Sequence, residues 1–194
     1  VLQPFEFCNP VDRDGGGIPE PEAHLTCYDL SEQTPAVPTV RVSTTRLGEF
    51  GEHTVALGDA NRLCVPTIKT AVDGDPTGVD LPLADLEGRF NQFKCYERAK
   101  RAKKVPDGLV QLTDQFEENK FAWVKDLEEG PFLVCNAVDS GYGIVERPAA
   151  QHLACFKIQD AGGQPKFPAT NVGLDNQFGV SVLELSKAHL LCLP

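Results

Sequence analysis

Apolar and polar residues alternate in short runs along much of the chain. Residues 39–44 (TVRVST), 54–57 (TVAL) and 109–112 (LVQL) approximate the period of two that marks a half-buried strand. Residues 180–185 (VSVLEL) follow the same rule with one apolar residue out of step, and 120–124 (KFAWV) alternates around Trp123. Fifteen prolines and seventeen glycines break these runs at short intervals and leave no room for a long helix. Short strands with frequent turn signals predict an all-β protein of sandwich or small-barrel type.

The strand-like runs recur in a fixed order three times over. A first anchor reads His24, Leu25, Thr26, Cys27, Tyr28, then Gln92, Phe93, Lys94, Cys95, Tyr96, then His152, Leu153, Ala154, Cys155, Phe156. A second anchor carries Phe50, Phe116 and Phe178, which follow those cysteines by 23, 21 and 23 residues. A third carries Cys64, Cys135 and Cys192, a further 14, 19 and 14 residues on. A period of 60 to 68 residues signals an array of equivalent units, each with roughly four to six strands. The expected division is 24–90, 91–151 and 152–194, each of the first two with its trailing connector. Residues 1–23 stand before them. There Cys8, Asn9, Pro10, Val11 and Asp12 match Cys135, Asn136, Ala137, Val138 and Asp139, so the segment reads as an orphan last strand. The fold predicted is a row of small, disulfide-stapled β-sandwich or barrel-like modules preceded by that strand.

Units of about 60 residues bury only about 60% of the surface of their unfolded chains, so covalent staples are expected. Six of the seven cysteines occupy equivalent places in the three units, a pattern of disulfides in an oxidising compartment. Two pairings respect the repeat. One closes each unit, Cys27–Cys64, Cys95–Cys135 and Cys155–Cys192, and leaves Cys8. The other closes the connectors, Cys8–Cys27, Cys64–Cys95 and Cys135–Cys155, and leaves Cys192. The first has the more uniform spacings, 37, 40 and 37 against 19, 31 and 20. A loop of that size contributes about 3–4 kcal/mol on the chain-entropy estimate. The chain starts at Val1 and contains no methionine, which reads as a secreted product without its signal peptide. No apolar run approaches the length of a membrane span.

These anchors resemble an uncharacterised repeat family of large secreted bacterial proteins. Its repeats run H-F/L-x-C-Y-K, then V-x-L-x-D-Q-F-G, then L-C-x-P, often joined by C-N-P-V. The likeness covers residues 5–194 and is strongest in the third unit. The first unit departs with Gly48 and Glu49 where Asp-Gln is usual, and the middle one has an insertion before Cys135. The resemblance implies an extracellular setting and modular β architecture, with no established activity.

Charge and side-chain chemistry narrow the function. A net charge of −10 disfavours nucleic acid as a partner. The one basic run, residues 98–104 with five cations, reads as a solvated loop or edge. The four histidines lack zinc spacing, and no nucleophile motif or phosphate loop is present, so an enzyme is not expected. His24 and His152 are equivalent to Gln92, which points to structural hydrogen bonding. Phe50, Phe116 and Phe178 are expected to plug the core at their turns. Calcium is the one cofactor in view: Asp12 and Asp14, and Asp73, Asp75 and Asp80, place carboxylates in glycine-rich loops as a weak candidate site. The functional expectation is a secreted structural protein, a cell-surface or fibre subunit. Val1 to Pro10 would pair against another module in the same or the next chain, giving self-association or attachment to another surface protein. The alternative is an adhesin or carbohydrate-binding array using Tyr142, Trp123 or Phe90.

Overall fold

Fifteen strands run through the residues described by a computed structural model, namely 3–30, 40–43, 52–71, 85, 88–99, 106–125, 127–139 and 152–194. They are β1 (Pro4–Cys8), β2 (Asp12–Arg13), β3 (Leu25–Asp29), β4 (Val40–Ser43) and β5 (Glu52–Val55). Then come β6 (Leu57–Pro66), β7 (Ile68–Ala71), β8 (Gln92–Arg98), β9 (Pro106–Thr113) and β10 (Lys120–Lys125). The last five are β11 (Leu133–Val138), β12 (His152–Asp160), β13 (Thr170–Asn176), β14 (Gly179–Leu185) and β15 (Leu190–Leu193). A 3-10 turn, Leu127–Glu129, separates β10 from β11. The protein is all-β, as the alternating pattern predicts, and every strand pairing is antiparallel.

The anchor strands build one continuous run in the order β1-β3-β6-β8-β11-β12-β15. Within each unit the two cysteine-bearing strands pair directly: β3 with β6, β8 with β11, β12 with β15. Between units the same strands pair again, β6 with β8 and β11 with β12. The orphan strand takes the equivalent place, β1 against β3 of its own chain. Glu6 of β1 reaches His189, just before β15, at 2.7 Å. The residue leading into β15 therefore touches the strand at the other end of the run.

β12 belongs to two sheets. Its first four residues pair with β11, and Ile158 to Asp160 pair with β10, which continues through β9 to β2. β10 and β11 thus lie end to end along one side of β12. A third sheet, β14-β13-β7, joins the last unit to the first. It needs Gly173, where an added methyl would collide with Thr70 Oγ1 of β7. The ranges 24–90, 91–151 and 152–194 consequently share sheets. The physical reason is size: strands borrowed from neighbours bury what a unit of this length cannot bury alone.

Period two divides each strand between faces, and the core follows. One cluster holds Leu25, Cys27, Cys64, Phe93, Cys95, Leu133, Cys135 and Cys155, with Cys8 and Cys192 packed against it. A second joins Val110 and Leu112 of β9, Ala122 and Val124 of β10, Phe156 and Ile158 of β12, and Leu191 of β15. Between sheets, Asn176 makes a buried polar link: its Nδ2 donates to Tyr28 Oη at 2.9 Å and to Thr67 Oγ1 at 3.3 Å.

His24 is a buried residue whose ring stacks on Phe7 at 5.5 Å, and burial, with Lys69 adding, lowers its pKa to about 4. The unfolded chain's value is 6.5, so below that pH the unfolded state takes up a proton that the folded state refuses. Stability is expected to fall by about 3 kcal/mol between pH 6.5 and about 4 and to lose nothing further from this group below that. Urea unfolding across that window checks it. A His24→Gln variant, which copies the equally buried Gln92, should lack this component. Equal pH dependence in both proteins would contradict the assignment.

Candidate functional site

The cysteines are placed first, because the sheet register fixes them. Cys27 stands opposite Cys64, Cys95 opposite Cys135 and Cys155 opposite Cys192. Each pair is bonded, with Cα atoms 3.9–4.0 Å apart, which is the within-unit scheme. Cys8 is the free cysteine. Its residue is half-buried, but its sulfur sits in the cluster 4.0 Å from Cys27 Sγ. Burial pushes the thiol up to about 12, with Glu6 adding and Arg62 opposing.

In its two described copies the second anchor is a side-chain-capped turn. Asp114 Oδ1 accepts from the backbone N–H of Phe116 and Glu117 at 2.8 and 2.9 Å, and Asn176 Oδ1 accepts from Phe178 N–H at 3.0 Å. The acid or amide is what shapes this turn. The two described aromatics do not plug a core, contrary to expectation. Phe116 is half-buried against Phe167, and Phe178 is exposed with its edge on Tyr28. Both lie in turns between strands, β9–β10 and β13–β14, where part of each ring stays open to solvent. Phe50 lies outside the described residues.

The calcium candidates divide in the same way. Asp14 is occupied structurally, accepting from Gln111 N–H at 2.9 Å and from Arg13 Nε at 3.3 Å, which locks β2 onto β9. Asp12 is half-buried beside it. Among the described residues no three His, Cys, Asp or Glu side chains come together as a metal site. Asp73, Asp75 and Asp80 lie outside those residues, as do Tyr142 and residues 100–104. His152 is exposed and bonds Asn136 at 3.0 Å, whereas the equivalent His24 is buried with its ring against Phe7.

A shallow cleft of about 80 Å³ lies beside Lys120, Glu117 and Asp160. Ligand pockets usually exceed about 300 Å³, so this one holds little more than water. Lys120 is buried yet fully engaged, with Glu117 and the Pro165 carbonyl at 2.6 Å and Asp160 at 3.4 Å. Burial alone would lower its pKa, but the two carboxylates outweigh that and hold it above 10.5.

Two surfaces remain, and the sequence pattern pointed to neither as a whole. The first is the outer face of β9 and β10. Trp123 and Phe121 are 37% and 38% exposed, and Leu109, directly opposite Trp123, is 50% exposed. Gln111 faces Phe121 and bonds Asn119 at 2.8 Å, while Gln159 faces Trp123 from β12. The second is β14, an edge strand on which Val180 and Val182 are 80% and 59% exposed. Phe90, the remaining aromatic candidate, is half-buried under Arg89.

Three disulfides and an all-β fold define the class, and they fit an oxidising, extracellular compartment. No helix among the described residues is long and apolar enough to cross a membrane. Comparison with family models, with curated proteins and with solved structures finds no match for the chain.

Proposed function

We propose that the protein is a non-enzymatic building block of an extracellular assembly, a cell-surface or fibre subunit, whose copies join edge to edge through β14. The exposure of Val180 and Val182 on an edge strand carries this reading. Edge strands are commonly blunted by Lys, Pro or bulges, and residues 179–185 (GVSVLEL) contain neither residue, while β14 follows β13 without a register shift. Two β14 strands paired antiparallel about Val182 would set Val180 of each copy opposite Glu184 of the other. No like charges would then face each other.

This reading moves the interface away from residues 1–10. β1 is held in its own chain by β3, by Arg62 on Glu6 at 2.5 Å, and by His189. Strand exchange through β1 would first have to break those contacts.

Sedimentation velocity tests the proposal. The wild type is expected to show concentration-dependent association that Val182→Lys abolishes. A monomer at all concentrations, or association unchanged in the variant, would contradict it.

The aromatic face favours a second reading, an adhesin or carbohydrate-binding module. Flat rings flanked by the amides of Gln111, Asn119 and Gln159 suit the apolar face and hydroxyls of a sugar. On that reading Trp123→Ala weakens binding to immobilised polysaccharide by about 30-fold, the size of a hot-spot truncation. No binding by the wild-type monomer would remove it.

A further inference from the structure

The cysteines obey a second spacing beside the bonded one. Cys8 stands opposite Leu25, with Cys27 two residues along; Cys64 stands opposite Phe93, with Cys95 two along; Cys135 stands opposite Leu153, with Cys155 two along. A two-residue offset keeps side chains on one face of a sheet. The same offset occurs at every junction between units, in the same direction. All seven cysteines also belong to, or pack on, one cluster. They lie along one diagonal line across β1, β3, β6, β8, β11, β12 and β15, in which bonded steps alternate with steps at this two-residue offset. At its first unbonded step the sulfurs are 4.0 Å apart.

We propose that this line is a thiol–disulfide relay with two isomeric disulfide sets. The Cys8 thiolate attacks Cys27 Sγ; the Cys8–Cys27 bond forms, the Cys27–Cys64 bond breaks, and Cys64 leaves as thiolate. Cys64 then attacks Cys95 and releases Cys135, and Cys135 attacks Cys155 and releases Cys192. Three disulfides exist before and after, so no oxidant or reductant is consumed. The proton lost at Cys8 is regained at Cys192. The thiol crosses from one end strand of the run to the other, and the relay sets which sheet edge carries it.

Geometry ranks the two sets. Diagonal neighbours in a sheet stand about 7–8 Å apart at Cα, beyond the usual disulfide separation of about 5.5–6 Å. The shifted set therefore requires the sheet to tighten and is the minor isomer. The groups around the attacking thiol set the rate. Arg62 of β6 favours the thiolate, Glu6 of β1 opposes it, and His189 bonds Glu6; His24 stacks on the adjoining Phe7. With burial holding the thiol near 12, exchange is slow at neutral pH and accelerates about tenfold per pH unit.

The test needs only the intact protein. It is held under argon without added thiol at pH 7.5 and at pH 9.5, then moved to pH 5 in guanidinium with excess maleimide. Peptide mass spectrometry locates the label. At the start the label is on Cys8. With time at pH 9.5 it also appears on Cys64, Cys135 and Cys192 and stays off Cys27, Cys95 and Cys155, about 100-fold faster than at pH 7.5. The rate is independent of protein concentration, and Cys8→Ser takes no label. Label confined to Cys8 after prolonged incubation, or spread evenly over all seven cysteines, overturns the relay.

Discussion

Replacing Cys95 and Cys135 together by alanine is expected to lower the free energy of unfolding by about 4 kcal/mol, with the melting temperature falling by about 12 °C. The size follows from the 40-residue loop that this disulfide closes. It is the middle staple of the run, and its two strands contact both neighbouring units, β8 on β6 and β11 on β12. The loss should therefore appear as one cooperative transition at lower temperature. Calorimetry reads both quantities. A variant that melts in two separate steps would show that the units hold themselves independently, against the shared sheets.

The second large effect is expected at the ion pair of the first strand. Glu6 and Arg62 are 9% and 13% exposed at their side chains and meet at 2.5 Å, with Arg62 lying over the Phe5 ring. Removing one partner of a nearly buried pair leaves the other charge without compensation, so Glu6→Ala should cost about 3 kcal/mol. Replacing both partners with apolar residues, Glu6→Leu with Arg62→Met, should cost less than either single change, because no stranded charge remains. Chemical denaturation of the three variants measures this. A loss below about 1 kcal/mol in Glu6→Ala would mean that β1 is held by its backbone pairing alone.

Much of this arrangement was legible along the chain. The anchors mark the strands, and six of the cysteines bond as the more uniform spacing suggests. The sequence left the connector-closing scheme open for a physical reason now visible. Both sets keep sulfurs on the same sheet face, and they differ only by a two-residue offset that spacing along the chain does not encode. The pairing of β6 with β8 and of β13 with β7 was also out of reach. Those registers arise between distant segments rather than from a local pattern.

The KFAWV segment shows a second limit. Alternation there permits two phases, and the larger side chains suggest that Phe121 and Trp123 face inward. The structure buries Ala122 and Val124 instead, against Val110, Leu112 and Ile158. It buries Lys120 as well, which Glu117 and Asp160 make tolerable by supplying opposite charge. Bulk alone does not set the phase of a strand when a carboxylate pair waits on the other side. Glu6 was hidden likewise, since its partner Arg62 comes from a strand far along the chain.

Hydrogen exchange measured at increasing protein concentration tests the assembly account most directly. Protection is predicted to rise in residues 179–185 while residues 3–10 stay unchanged, because β14 gains a partner and β1 keeps the one it has. Protection rising in residues 3–10 would contradict the account in favour of strand exchange, and no change in either segment would contradict assembly through sheet edges altogether.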